Sequence, residues 1–299
     1  MRIRLDVALI KLHPGLSRRR ARDVIEKGQV SVEGRTVLEP GRLVVPTTAI
    51  AWDPNLKARS RVRASIPLLH EDDDVLVVDK PAGLLSVPTA PDAEGEDTAL
   101  ARVQDYVARR RPRRPYVGVV HRLDRDTSGA LAFALSPPAR SALRDLFRAH
   151  RMERRYAALV DGVPPAEEGK VDAPIYDVYE GGRRRLARPG EPAHDARTHW
   201  RVVERFPAGA LLEVELETGR QHQIRLHLAH LGLPIVGDPV YGRSGGRTVI
   251  AGRQMLHARH LAFVHPMTGE RVEAESALPA DFRETLAALR GRRSGGRRG

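Results

Sequence analysis

The segment with the clearest capacity for chemistry is HRLDRDTSG, residues 121–129. It sets two carboxylates, Asp124 and Asp126, among basic side chains. A carboxylate acts as a nucleophile or a base while it stays ionised, and a fixed cation beside it in a concave site keeps it so. The residues alone favour a simpler interpretation, in which both acids accept backbone N–H groups of a loop that ends in Thr-Ser-Gly. A reactive Asp124 is the alternative, and it needs a partner.

Two sources of a cationic partner are present. Arg122 and Arg125 are nearest in sequence, but a tight loop need not point them at the carboxylate. Arg225, in the later segment GRQHQIRLHLAHLG, projects with His222 from a face that the apolar residues of the segment do not use. A bidentate pair with an arginine would fix both the charge and the rotamer of Asp124.

Apolar patterns place the motif in a loop between strands. Three short apolar runs are typical of buried strands: residues 75–78, 117–120 and 130–135. Downstream, the segment around Arg225 predicts a helix with Ile224, Leu228 and Leu231 facing the core and Gly232 at its end.

The first 50 or so residues predict a small basic module of two helices and a hairpin. Ser17 is a good N-cap for the second helix, Gly28 can end it, and Glu33-Gly34 can form the hairpin turn. An inward apolar face then turns a basic stripe outward: Arg18, Arg19 and Arg22. A solvated helix of an ordinary small domain is the alternative interpretation of that stripe.

Composition narrows the function further. The 299 residues carry a net charge of +12 and no cysteine, which excludes disulfides, thiolate nucleophiles and cysteine-ligated metals. Residues 1–63 hold 14 Lys and Arg against 6 Asp and Glu, and residues 290–299 add five arginines and no acid, so the excess charge is concentrated in a front module and a tail. No segment is typical of a signal peptide or a membrane span, and we expect a cytoplasmic protein.

Five segments follow one another as in RluA-type pseudouridine synthases: VVDKPAGLLSVP, HRLDRDTSG, RYAALVDG, TGRQHQIRLHLAHLGLPIVGDPVYG and LHARHLAFVHPMTGE. The front module, through SRRRARDVIEKGQVSVEG, resembles the S4 RNA-binding domain. The resemblance implies an α+β protein, with an S4-like α/β module followed by a mixed, mainly antiparallel sheet flanked by helices. We expect the module at 1–52, a linker at 53–63, the catalytic domain at 64–289 and a basic disordered tail at 290–299.

The resemblance also implies residue roles. Asp124 corresponds to the catalytic aspartate that attacks the target uridine, Tyr156 to a tyrosine that stacks on the base and could remove the C5 proton, and Arg225 to the arginine that pairs with the aspartate. The expected substrate-binding residues are Arg122, Leu256, His121 and Arg220, and the expected RNA-binding residues are the stripe on the second helix. No metal or cofactor is implied. Attack at C1′, attack at C6 and a glycal route all stay open.

Two other function classes and the substrate stay open as well. His222, His227 and His230 could ligate zinc in a nuclease, although no carboxylate lies within the same helix. A non-catalytic RNA-binding adaptor would need only the front module. For the enzyme we expect a monomer that acts on structured RNA, with large-subunit ribosomal RNA preferred and transfer RNA as the alternative.

Overall fold

The computed structural model describes residues 3–54, 64–90, 96–111, 113, 115–179, 181, 183–242 and 251–291. The chain divides into two compact units, Met1–Ala64 with Pro88–Asp97 and Ser65–Val87 with Thr98–Gly299. Most of the predicted linker (55–63) and most of the predicted tail (292–299) lie outside the described residues, so the expected domain bounds stay a prediction. No helix in the described ranges is long and apolar enough to cross a membrane.

The first unit packs two helices on short strands. Its elements are α1 (Leu5–Leu12), α2 (Arg18–Glu26), β1 (Ile3–Arg4), β2 (Val30–Val32), β3 (Arg35–Thr36), β4 (Leu43–Val44) and β5 (Ile50–Trp52). The predicted start of α2 is confirmed, since Ser17 Oγ accepts the Arg20 N–H at 3.2 Å. The predicted hairpin is also confirmed, since Glu33 and Gly34 both take positive φ between β2 and β3. A third strand, β5, pairs with the other edge of β2.

The second unit is built on one ten-stranded sheet. Its strands are β6 (Leu68–Glu71), β7 (Val75–Lys80), β8 (Gly118–Val119), β9 (Ser128–Ala134), β10 (Glu153–Asp161), β11 (Glu168–Asp172), β14 (Arg197–Phe206), β15 (Gly209–Leu216), β16 (Leu256–Val264) and β17 (Arg271–Glu275). The order is β11-β14-β15-β10-β16-β9-β7-β6, with β17 on β16 and β8 on β9. Among the described strands only the β16–β9 pair is parallel, so the predicted mixed, mainly antiparallel sheet is confirmed. A separate ribbon pairs β12 (Ile175–Tyr176) with β13 (Ala193–His194).

Helices cover both faces of this sheet. They are α3 (Ala99–Arg110), α4 (Pro137–Arg148), α5 (Gln223–His230) and α6 (Ala280–Gly291). Side chains alternate along β7, so that Leu76 and Val78 join the core under α3, α5 and α6 while Val75 and Val77 join the core under α4. Two buried cores thus hold the central strands, and the loops at the strand ends are free to carry chemistry.

Two local predictions need correction. Leu231, expected in the core, is 39% exposed, because α5 ends at His230 and Leu231 already belongs to the turn that Gly232 completes with φ +74°. The expected strand 117–120 is reduced to Gly118–Val119, since the chain must turn at once into the loop that carries Asp124.

Candidate active site

The loop that carries Asp124 joins β8 to β9, and hydrogen bonds from Ser86 hold its backbone in place. Ser86 Oγ donates to the Leu123 carbonyl at 2.7 Å and accepts the Leu123 N–H at 3.0 Å. Thr127 N–H donates to the Asp124 carbonyl at 3.1 Å, which closes a turn. The backbone of Asp124 is therefore set by bonds on both sides, while its side chain stays about one quarter exposed.

Lys80, at the end of β7, is a buried cation beneath this loop that sequence reasoning missed. Its Nζ donates to the carbonyls of Leu84 at 2.7 Å, Arg125 at 2.9 Å and Pro81 at 3.0 Å. Burial lowers the pKa of Lys80 to about 7, while the charges of Asp126 and Asp124 oppose that shift. Three accepting carbonyls use all three N–H groups of the charged form, so the geometry supports a protonated Lys80.

Arg253 fixes the other end of the loop and was also missed. Its Nη1 donates to the Asp126 carbonyl at 3.0 Å, and its guanidinium makes a two-point pair with Asp281 of α6 at 2.6 and 3.0 Å. Gly129 then passes so close to β16 that a Cβ would lie 2.2 Å from the Ala258 carbonyl oxygen. Only glycine fits this crossing, because its φ is also +113°.

Arg225 reaches Asp124 as the sequence predicted. Its Nη1 lies 3.0 Å from Asp124 Oδ2, but its two-point pair is with Asp238, at 2.7 and 2.9 Å. Arg225 therefore pairs with Asp124 through one hydrogen bond rather than two, since two of its N–H groups are already bound to Asp238. Burial opposes the charge, yet the hydrogen bonds and charge of Asp238, with the charge of Asp124, raise the pKa of Arg225 further.

Asp238 orients the guanidinium of Arg225 through two hydrogen bonds, and it was not identified from the sequence. It is buried and also accepts the N–H groups of Val240 and Tyr241 at 2.8 and 3.0 Å. Burial by itself would raise the pKa of Asp238, but the hydrogen bond and charge of Arg225 bring it below the usual value. The signal available in sequence was an acid inside the apolar, glycine- and proline-rich stretch GLPIVGDPVYG.

Tyr156 and Leu256 lie on one face of neighbouring strands. Tyr156 pairs with Ala258, and Leu256 pairs with Ala158, so both side chains belong to the same buried cluster. Burial raises the pKa of the Tyr156 hydroxyl, the charge of Arg154 opposes the shift, and the charge of Asp124 adds to it. An aromatic ring and an aliphatic side chain thus form a buried apolar surface, and the Tyr156 hydroxyl lies close enough to Asp124 to be affected by its charge.

The remaining candidates of this unit are not brought together. His121 accepts the Ala132 N–H through Nε2 at 2.9 Å and stacks on Phe147, while burial and then the charge of Arg154 lower its pKa to about 3. Its contacts are those of a neutral ring that packs the loop onto β9. Arg122 is exposed, and Arg220 is exposed with its Nε donating to the Asp195 carbonyl.

The three histidines of the zinc alternative do not converge. His227 is buried and bonds Thr198 and the Ala173 carbonyl, whereas His222 faces Asp124. Among the described residues, the group of three potential ligands with converging atoms is elsewhere, at His260, Glu273 and Glu275.

The predicted basic stripe is exposed in the first unit: Arg18, Arg19 and Arg22. A feature that the sequence did not reveal is the buried Asp6 of α1. Its carboxylate lies 3.8 Å from Arg18 and 3.4 Å from Arg22, and accepts hydrogen bonds from Arg4 at 3.0 and 3.1 Å. The stripe is therefore positively charged, but the buried carboxylate of Asp6 neutralises part of that charge.

Family models match both parts of the chain. The model described as RNA pseudouridylate synthase matches residues 74–230, and the S4 domain model matches residues 3–50. The ribosomal large subunit pseudouridine synthase D of Xanthomonas campestris is 39% identical, over 96% of this chain and 89% of that protein. A protein of Chloroflexus aurantiacus named as an uncharacterized RNA pseudouridine synthase is 42% identical, over 97% of this chain and 91% of its own length.

Solved structures give the same assignment. Human RNA pseudouridylate synthase domain containing 4 superposes with a TM-score of 0.62 and 25% identity, covering 75% of this chain and 93% of the human chain. Human RNA pseudouridylate synthase domain containing 1 gives 0.56 and 26%, covering 76% of this chain and 95% of its own.

Proposed function

The chain belongs to the RNA pseudouridylate synthase family and carries an S4 domain, and from this premise we propose that it isomerises uridines of large-subunit ribosomal RNA with Asp124 as the catalytic group. The proposal for the substrate is supported by the relatives named ribosomal large subunit pseudouridine synthase D, which align with nearly the whole chain. The reaction breaks the N1–C1′ bond, turns the uracil and forms a C5–C1′ bond. C5 loses its proton and N1 gains one, so the product is an isomer of uridine and no oxidation or reduction occurs.

The observation that carries the role of Asp124 is the way its carboxylate is held. Arg225 bonds Oδ2, and Oδ1 accepts none of the hydrogen bonds found among the described residues. One oxygen is therefore fixed by a buried cation, and the other stays available to the substrate. Such a carboxylate is oriented by a cation and open on one side, as attack at C1′, attack at C6 or removal of a ribose proton would each require.

Tyr156 and Leu256 are proposed as the surfaces against which the detached uracil turns. A flat ring and an aliphatic side chain hold a base by stacking and exclude water without fixing its rotation. Because burial raises the pKa of Tyr156, its phenol stays protonated at neutral pH. This favours stacking as its main role, and removal of the C5 proton would need a further acceptor.

The first unit is proposed to bind RNA through phosphates, with Arg18, Arg19 and Arg22 as contacts. Exposed arginines on one helix face supply a field that attracts a polyanion without reading its sequence. The target uridine must also leave its stack to reach Asp124, at a cost of roughly a few kcal/mol that binding has to offset.

Pseudouridine mapping of total RNA from cells with and without the gene tests the proposal. We expect loss of one or more sites in large-subunit ribosomal RNA, restored by the wild-type gene and not by Asp124→Asn. Loss of sites in transfer RNA alone would replace the proposed substrate. An unchanged map would contradict the proposed function, and activity that disappears with EDTA would favour a metal enzyme.

A further inference from the structure

We propose that His222, oriented by Tyr241, is a positioning residue that donates a hydrogen bond from Nε2 to Oδ2 of Asp124 when RNA is bound. The inference rests on the proposed function, because it assigns His222 a part in holding the same carboxylate. His222 lies directly before α5, and its Nε2 is 4.0 Å from Asp124 Oδ2.

The backbone at His222 is in an unusual conformation. Its backbone has φ +60° and ψ 13°, a left-handed conformation that residues other than glycine rarely adopt. Its imidazole is only 10% exposed. Gln223 fixes the turn, since its Oε1 accepts the Thr218 hydroxyl and the Arg220 N–H at 2.9 Å each. A strained backbone that delivers a buried ring to a reactive acid points to a function for the ring.

The contact with Tyr241 favours one tautomer of the His222 imidazole. The Tyr241 oxygen accepts the Arg184 N–H at 2.7 Å and lies 3.1 Å from His222 Nδ1. Because the Tyr241 oxygen already accepts one hydrogen bond from Arg184, we orient its hydroxyl proton toward His222 Nδ1, which lies within hydrogen-bond distance. We therefore assign Nδ1 as the acceptor and Nε2 as the N–H of the neutral ring, and Nε2 is the nitrogen that faces Asp124.

Arg225 and His222 approach the same carboxylate oxygen. Arg225 Nη1 is already at hydrogen-bond distance, whereas 4.0 Å is too long for a bond from His222. Contacts of this kind commonly shorten once substrate closes the site. A second donor on Oδ2 would stop Asp124 from rotating and keep Oδ1 pointed at the uridine.

The charges around His222 make this device sensitive to pH. Burial lowers the pKa of His222, the charges of Asp124 and Asp238 raise it, and those of Arg225 and Arg184 lower it. The Tyr179 and Tyr241 rings flank it edge-on. Protonation would place a hydrogen on Nδ1 and break the bond from Tyr241 that orients the ring. It would also turn the contact with Asp124 into an ion pair that makes the carboxylate less nucleophilic, so the neutral ring is the working form.

Two substitutions at His222 separate the two nitrogens. Asn fits the left-handed backbone and can still bond Tyr241, but its amide falls short of Asp124. Gln extends about as far as Nε2 and can donate there. In single-turnover tritium release from a large-subunit ribosomal RNA transcript labelled at uridine C5, we expect His222→Asn to be slower by about tenfold to a hundredfold, with RNA affinity kept. His222→Gln should retain most of the rate.

The pH profile gives a readout that a packing defect would not move. Tyr241→Phe removes the bond that favours the neutral ring, so the acid limb of the rate should shift to higher pH. The same substitution in a His222→Gln background should leave the limb where His222→Gln alone has it. An unmoved limb in Tyr241→Phe, or a wild-type rate in His222→Asn, would overturn the inference. If one of these results overturns the role of His222 but Asp124→Asn is inactive in the same assay, the proposed function still stands.

Discussion

The two units use arginine in opposite ways. In the larger unit Arg225 is buried, and two hydrogen bonds to Asp238 hold its guanidinium before a third reaches Asp124. In the first unit the acid is the buried partner, and the cations around Asp6 have long, mainly exposed side chains. Chemistry needs a charge whose position is set before the substrate arrives, whereas phosphate binding needs charges that can adapt. The units should therefore respond differently to loss of an arginine.

The largest effect is expected for Arg225→Met. It leaves the buried carboxylate of Asp238 without its cation, which should reduce the free energy of unfolding by about 3–5 kcal/mol and make Asp124 lose its fixed rotamer. Urea unfolding and tritium release measure the two effects. In Arg225→Met with Asp238→Asn, stability should largely return while activity does not. Recovery of activity in that double variant would remove Arg225 from the site.

A smaller effect is expected for Arg253→Lys. A lysine cannot bond Asp281 at two points and also reach the Asp126 carbonyl, so the loop after Asp124 should loosen. We expect a loss of rate of about tenfold, with RNA binding kept. Asp281→Asn is the matched control, because its carboxylate is half exposed and its loss should matter less. A wild-type rate in Arg253→Lys would show that the loop does not need this support.

The smallest effect on chemistry is expected in the first unit. Replacing Arg18, Arg19 and Arg22 with Gln should weaken RNA binding and flatten its salt dependence by roughly 0.7–0.9 in log–log slope for each phosphate that is no longer neutralised. The rate at saturating RNA should stay unchanged. Arg20→Gln is the control, since Arg20 is on the same helix but pairs with Asp23 at 3.0 Å. Equal slopes for the triple variant and the control would contradict the RNA-binding role.

Much of this contrast was predictable from sequence. Ser17, Gly28 and the apolar runs are local signals, and they predicted helices, turns and strands. The mixed, mainly antiparallel sheet was implied by the family resemblance. Arg225 was placed beside Asp124 by motif order, and the structure puts them at 3.0 Å. Lys80, Asp238 and Arg253 were not found, because what each does depends on backbone carbonyls or an acid brought near only by folding.

Errors at helix ends have the same origin. Leu231 continues the apolar spacing of α5, and periodicity alone cannot tell that the helix stops at His230. The left-handed conformation of His222 was equally hidden, since it is imposed by the contacts of Gln223 rather than by a glycine.

Asp124 and Asp126 allow a direct test of whether Asp124 is the catalytic group. Both acids lie in one loop, but only Asp124 receives Arg225, while the backbone carbonyl of Asp126 is bound by Arg253. With ribosomal RNA labelled at uridine C5, Asp124→Asn should release no tritium above background, and Asp126→Asn should keep most of the wild-type release. Substantial release by Asp124→Asn, with the protein folded and bound to RNA, would contradict a catalytic role of Asp124.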